Sequence, residues 1–197
     1  MRVQKVGRIA RLRDEVGVTL VELMVVVAII GVLTAVAVPN YLDWNRKYKL
    51  KDAVGLLHAN LNMVRLNAIN QNATATITVA QATSSSPVTV TFTGISGLPT
   101  LTLDSEVSLT NAAGDTVGGG TPAVISPQTV KFNSMGLRVN TGSGLCITSS
   151  GSYTSGGACT SSTSQAFNFK NSQGLNYRIV VLPTGKISWC YASTCAG

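Results

Sequence analysis

The sequence has few charged residues, only one histidine and no phosphate-binding loop. Asp, Glu, Lys and Arg make up only 12% of the 197 residues and hydrophobic residues 45%, which is typical neither of a disordered tail nor of a protein that coats nucleic acids. A Ser-His-Asp site would have to use His58, which we expect to be a packing or solvent residue. The glycines at 118–120 are not followed by the lysine of a phosphate loop. We therefore expect a protein that is not an enzyme.

Cysteine is absent from the first 145 residues, and all four cysteines lie between residue 146 and the end of the chain. Four cysteines permit three pairings, of which the local one, Cys146–Cys159 with Cys190–Cys195, is the simplest. Their spacing is not that of a zinc site, so we expect disulfides and neither metal nor cofactor. Disulfides require an oxidising compartment.

One uncharged run, Leu23 to Val38, stands out near the start of the chain. Together with Val18 to Val21 it has about the roughly 20 residues that a helix needs to cross a bilayer. Glu22 interrupts it, and a charged side chain in lipid costs on the order of 3 kcal/mol. Cleavage after Gly17 would create an amino group on Val18, four residues from Glu22, as a partner for this carboxylate.

The first 17 residues carry five basic residues against two acidic ones. This basic leader ending in Gly17, the segment Val18-Thr19-Leu20-Val21-Glu22 and the apolar helix with Gly31 and Pro39 resemble a type IV prepilin or a type II secretion pseudopilin. The resemblance implies cleavage between Gly17 and Val18 by a prepilin peptidase and N-methylation of Val18, where the family usually has Phe. It also implies subunit assembly through Glu22 and a helix break at Gly31 and Pro39.

Two other interpretations of the N-terminus compete with this one. A Sec signal peptide would need a small-x-small cleavage site before a turn, whereas here the apolar run continues into more helix. A permanent single-span anchor would keep residues 1–17 in the cytoplasm and leave Glu22 without an amine. We expect the prepilin interpretation, with residues 1–17 as a leader peptide.

Helical periodicity continues past Pro39. Apolar residues recur every three or four positions at Leu50, Val54, Leu57, Leu61, Val64 and Ala68. We predict one long helix over 18–72, with 18–45 the transmembrane or filament-core half and 46–72 an amphipathic half. Four basic residues just after the apolar run are suited to lipid headgroups or to acids of neighbouring subunits: Arg46, Lys47, Lys49 and Lys51.

From residue 73 the period changes to that of strands, and we predict a β-rich head over 73–197. The predicted strands are 74–79, 88–92, 98–103, 106–109, 129–132, 137–139, 145–148, 166–169, 177–182 and 186–190. Residues 111–121 and 149–164 are predicted loops. The expected fold class is α+β and type IV pilin-like, with one antiparallel β-sheet layer packed on the exposed half of the helix. Asp104 and Glu106 have the spacing of paired carboxylates, although a solvated edge is the simpler interpretation.

Two hairpin patterns, Val130 to Arg138 with Gly136, and Tyr177 to Ile187 with Gly185, are similar to the GspH/FimT branch of that family. This likeness implies a minor pilin in a type IV pilus or, alternatively, a minor pseudopilin of type II secretion. Some FimT-type pilins bind DNA in natural transformation, which makes Lys186, Arg178 and Arg138 candidate DNA contacts. The implied partners are other pilins or pseudopilins, the peptidase and an inner-membrane assembly platform. The implied location is the inner membrane, then a pilus or pseudopilus.

Overall fold

The computed structural model of the chain describes residues 17–83, 85–110, 127–139, 145–147, 153–155 and 159–191. In these residues it has one helix, α1 (Leu20–Asn70), and eleven strands. The strands are β1 (Ala75–Ala80), β2 (Thr89–Thr93), β3 (Leu101–Thr102), β4 (Val107–Thr110), β5 (Gln128–Phe132), β6 (Arg138–Val139), β7 (Leu145–Ile147), β8 (Tyr153–Ser155), β9 (Ser164–Asn171), β10 (Asn176–Val181) and β11 (Ile187–Tyr191). Residues 1–41 and 42–197 form two compact units. The predicted α+β, type IV pilin-like fold class is confirmed.

The C-terminal half of α1 supplies one wall of the hydrophobic core in the second unit. Its buried residues are Leu50, Ala53, Val54, Leu57, Leu61, Val64 and Ala68. They include every residue of the predicted apolar face and follow the three- and four-residue spacing of a helix stripe. Each fully buried Leu or Val stabilises the fold by about 1.5–3 kcal/mol relative to exposure. This burial holds the helix on the sheets.

The end of α1 is fixed by a left-handed residue. Asn72 has a φ of 48°, and the Ala73 amide donates to the Ala68 carbonyl at 3.0 Å. This six-to-one bond is the mark of a Schellman ending, for which Asn is tolerated because its short polar side chain suits the left-handed region. The chain therefore leaves the helix in a defined direction toward β1.

The predicted helix break at Gly31 and Pro39 is absent, because α1 includes both residues without interruption. Thr34 Oγ1 donates to the carbonyls of Ile30 at 2.9 Å and Gly31 at 3.0 Å. Pro39 cannot donate a backbone hydrogen bond to the preceding turn, yet the helix continues through it. Unwinding of this segment inside an assembly stays a prediction.

The described residues of the head form two antiparallel sheets, where one layer was predicted. The first has the order β3-β2-β1-β5-β6, with Ile77 of β1 opposite Phe92 of β2 and Val130 of β5. Along β1 every second residue is buried. This alternation is the pattern that predicted the strand, since successive side chains of a strand point to opposite faces.

The second sheet has the order β11-β10-β9-β7-β8. Two strands pair with the same edge of β9: β7 with its first residues and β4 with its last. On one face Phe167, Phe169 and Ile179 join the core beneath α1. On the other face Ala166 and Val180 join a separate apolar cluster with residues of β7. The second sheet therefore carries buried apolar residues on both faces, which explains its near-continuous burial.

Part of a predicted loop is a strand. Residues 153–155 within the predicted 149–164 loop pair with β7 as β8, and Ser164 already belongs to β9. The Ser- and Thr-rich sequence carried no apolar alternation there, so only pairing with β7 defines the strand. The predicted 111–121 loop lies outside the described residues.

Candidate functional site

The start of α1 is capped by residues of the Val18–Glu22 segment, on which the resemblance to prepilins rests. The Glu22 amide donates to Thr19 Oγ1 at 3.2 Å, and the Leu23 amide donates to the Thr19 carbonyl, also at 3.2 Å. Thr19 is thus the N-cap, and Glu22 occupies the position of the acid in a capping box. A carboxylate in the first turn is also favoured by the positive end of the helix dipole. Glu22 consequently has a structural reason to lie at this turn in addition to any role in assembly.

Gly17 and Val18 precede the helix and are exposed. A Cβ built on Gly17 would meet nothing within 4 Å, and its φ does not fall in the left-handed region. The fold therefore does not require glycine at this position. If glycine is required here, the requirement must come from another molecule that recognises this segment.

The described part of the first unit, residues 17–41, presents an apolar surface with a single charged side chain, that of Glu22. From Val18 to Val38 every large hydrophobic side chain is exposed, the least exposed being Val26 at 49%. Among the described residues α1 is the one helix long and apolar enough to cross a membrane. Exposed apolar surface of this extent marks a membrane or protein partner.

The neck, residues 42–52 of α1, is tied to the head by polar side chains. Lys49 Nζ lies 3.2 Å from Asp104 Oδ2, and Arg46 Nε lies 3.9 Å from Glu106 Oε2. Gln173 Nε2 donates to Asp43 Oδ1. All are partly exposed, and exposed ion pairs stabilise by about 0–1 kcal/mol each. Their main effect is to fix which side of the neck faces the head.

Asp104 and Glu106 do not form a carboxylate dyad, because each has its own basic partner on the neck. Asp104 Oδ1 also accepts the Glu106 amide at 2.9 Å. That bond, with Lys49 adding to it, holds the pKa of Asp104 below its usual value although partial burial opposes the shift. The arrangement stabilises two charged carboxylates and offers no shared proton for acid-base work.

The two predicted hairpin glycines meet each other and the helix. A Cβ on Gly185 would lie 1.9 Å from the Gly136 carbonyl oxygen, and one on Gly136 would lie 2.6 Å from Ile69 Cδ1. Arg65 Nε donates to the same Gly136 oxygen at 2.8 Å. Both glycines have positive φ, 72° and 78°, as expected for glycine at a hairpin turn. Arg65, Gly136 and Gly185, here called the glycine clasp, join the ends of both sheets to α1.

Two of the three candidate DNA contacts are buried, which corrects that prediction. Arg178 is 1% exposed and its Nε donates to Asn168 Oδ1 at 2.7 Å. Arg138 is 5% exposed and donates to the carbonyls of Cys159 at 3.3 Å and Thr160 at 2.6 Å. Burial also lowers the pKa of Arg138. Only Lys186 is exposed, and one lysine supplies a single phosphate contact.

Cys146 and Cys159 form a disulfide. Arg138 bonds the carbonyl of Cys159, so the buried arginine and the disulfide secure the same segment to the head. Cys190 is also disulfide-bonded, and Cys195, the partner predicted for it, lies outside the described residues.

The sequence interpretation missed Arg65. Its position among the buried residues Leu61, Val64 and Ala68 was a usable signal, since a charged residue beside an apolar stripe has a nearby partner or reaches solvent. His58 Nε2 lies 3.4 Å from the Ile187 carbonyl oxygen, a contact between α1 and β11, and 3.2 Å from Asn62 Nδ2 one turn along the same helix.

Comparison with known proteins shows similarity to type IV pilins over part of the chain. It is 34% identical to the type IV major alpha-pilin of Moraxella bovis over 102 residues, which are 52% of this chain and 64% of that protein. It is 44% identical over 48 residues to a fimbrial protein of Pseudomonas aeruginosa, covering 24% of this chain and 31% of the relative. A type IV major pilin of Neisseria gonorrhoeae is 47% identical over 38 residues, 19% of this chain and 23% of the relative.

The chain thus spans less than two thirds of the length of these relatives. No protein-family model matches the chain, and no solved structure matches it.

Proposed function

We propose that the chain is a type IV pilin subunit, a structural protein that is processed at its N-terminus and packed into a filament by α1. The observation that carries this proposal is the lone Glu22 at the capped start of a helix whose next sixteen residues are uncharged and exposed. Such a surface needs lipid or other apolar helices around it, and such a carboxylate needs a cation. The similarity to named pilins supports the same function.

Processing takes place between Gly17 and Val18. The exposed Gly17, which nothing in the fold requires, suits recognition by a prepilin peptidase. Cleavage removes the basic leader on the cytoplasmic side and leaves an amino group on Val18, the proposed site of N-methylation. The subunit then waits in the inner membrane with its head in the periplasm, where the disulfides are stable.

Assembly moves α1 from lipid into a bundle of like helices. An inner-membrane assembly platform delivers the subunits to the growing filament. There Glu22 of one subunit pairs with the Val18 amine of an adjacent subunit. In a nearly dry bundle the loss of one partner leaves an uncompensated charge, which costs about 3–5 kcal/mol. The pairing therefore selects correct register rather than adding large net stability.

We propose further that the chain is a minor pilin of the GspH/FimT type within the filament. The glycine clasp supports it, because it gives both family-like hairpin glycines one shared structural role. A minor pseudopilin of type II secretion would share the N-terminal features. Deleting each machine in turn separates the two, since only the cognate deletion strands the processed subunit in the membrane.

Glu22→Ala tests the assembly step. We expect the variant to be cleaved and to stay in membranes, while its recovery in sheared filaments falls at least about 100-fold, corresponding to about 3 kcal/mol. Asp52→Ala, which also removes an exposed carboxylate from α1, is the matched control and should assemble normally. Normal assembly of the Glu22 variant would remove the proposed role of this residue.

Gly17→Arg tests the processing step. We expect a full-length band on a gel, whereas Gly7→Arg, also in the leader, should still give the shortened chain. Mass spectrometry of the native subunit should give Val18 as first residue and report its methylation. A shortened band from the Gly17 variant would place the cleavage elsewhere.

A further inference from the structure

The fold separates the four cations that follow the apolar run into two pairs. Arg46 and Lys49 contact Glu106 and Asp104 of the head. Lys47 and Lys51 are exposed, and within the described residues neither takes part in an ion pair. Because the first pair fixes the side of the neck that faces the head, the second pair faces away from the carboxylates.

Two aromatic residues accompany the second pair. Trp44 and Tyr48 stack with ring centroids 5.7 Å apart, and they are 60% and 57% exposed. Spacings of three and four residues place neighbours on one side of a helix. Trp44, Lys47, Tyr48 and Lys51 therefore form one continuous strip along the neck, here called the docking strip.

We propose that the docking strip binds the surface of an anionic phospholipid bilayer and holds the neck at the headgroups until the subunit enters a filament. This inference rests on the membrane stage of the proposed function. Trp44 follows Val38, the last residue of the uncharged run, by six positions. Tryptophan and tyrosine favour the headgroup level, where their rings are half in lipid, and lysines beside them attract anionic lipid.

A second copy of this chain is a poorer occupant, because it has few carboxylates to offer. The chain has eight acidic residues, two of them in the leader. Asp43, Asp104 and Glu106 already take part in the bonds between the neck and the head. An anionic membrane instead presents many phosphates at the level where the helix leaves the lipid. Charge complementarity therefore favours the bilayer.

The first test labels lysines of the unaltered full chain in vesicles. A water-soluble acetylating reagent is applied in phosphatidylcholine vesicles, with and without phosphatidylglycerol, and acetylation is read by mass spectrometry. We expect anionic lipid to protect Lys47 and Lys51 but not the exposed head residues Lys131 and Lys186. Two lysines near such a surface bias the docked state by about 30-fold. Equal labelling in both lipids would overturn the proposal.

The second test uses variants, with Trp189→Phe in every chain so that Trp44 is the sole tryptophan. Brominated phosphatidylglycerol should quench Trp44 in the parent chain and in Lys131→Gln/Lys186→Gln. In Lys47→Gln/Lys51→Gln the quenching should fall to the level seen with brominated phosphatidylcholine. Undiminished quenching in that variant would reject a role for the lysines.

Flotation of the same vesicles separates failure of this proposal from failure of the proposed function. If the chain does not float with vesicles, it has no membrane stage, and both the pilin proposal and the docking-strip proposal fail. A chain that floats but shows no dependence on lipid charge rejects the docking strip alone.

Discussion

Gly185→Ala should destabilise the head far more than a glycine substitution at an open position. Gly185 has a φ of 78°, and alanine in the left-handed region costs about 1–2 kcal/mol. The new Cβ would also lie 1.9 Å from the Gly136 oxygen and 2.8 Å from Arg65 Nε, so the two turns must separate. When the turns separate, the Arg65–Gly136 hydrogen bond is lost, and this loss destabilises the variant by about a further 1–3 kcal/mol.

Gly97→Ala is the matched control, because Gly97 has a φ of 94° but open space around its would-be Cβ. Only the backbone strain applies there. We therefore expect a gap of about 1–3 kcal/mol between the two variants, on the order of 2–12 °C in the melting temperature of a head of this size. Gly136→Ala should fall between them, since its nearest contact is the flexible end of Ile69.

The measurement is thermal unfolding of the full chain in detergent, followed by near-ultraviolet circular dichroism, which reports packing in the head. Equal melting temperatures for the Gly185 and Gly97 variants would refute the clasp, because the contact with Gly136 would then have no energetic consequence. A Gly185 variant that fails to fold at all, beside a folded Gly97 variant, supports it.

Two further predictions concern α1 and its neck. Gly55→Ala should raise head stability by about 0.5–1 kcal/mol in denaturant titration, because the glycine lies inside the helix with open space at its Cβ; a loss of stability would show a hidden contact. Asp104→Asn should lower stability near neutral pH only. The lowered pKa of Asp104 makes its contribution complete above the ordinary value of 3.8 and lost as pH falls through the folded value, so the native and variant midpoints should converge once the pH has fallen below that lowered pKa. A pH-independent gap would contradict this origin.

Periodicity predicted the helix and most strands because burial imposes it locally. The stripe from Leu50 to Ala68 and the alternation in β1 follow directly from which side chains face the core. The number of sheets was not predictable in this way. Strand alternation shows that a face is buried but does not show which other strands share it, and pairing between distant segments decides that.

The buried arginines show the same limit at the candidate site. Arg178 lies between Tyr177 and Ile179, and alternation placed it on the face opposite the core beneath α1, which a single sheet would expose to solvent. That face also carries buried apolar residues, and Arg178 is buried there with its Nε bonded to Asn168. The neck ion pairs were equally unpredictable from the sequence, since they join residues far apart in the chain.

The attachments of α1 to the head have a mechanical consequence. The Asp43–Gln173 and Arg65–Gly136 bonds are 22 residues apart on the helix, about 33 Å along its axis. With the apolar stripe between them, an axial pull on the helix would load all these contacts in shear at the same time. Shared loading resists rupture better than peeling, in which contacts fail one after another. The head could then be carried under tension without being stripped from its helix.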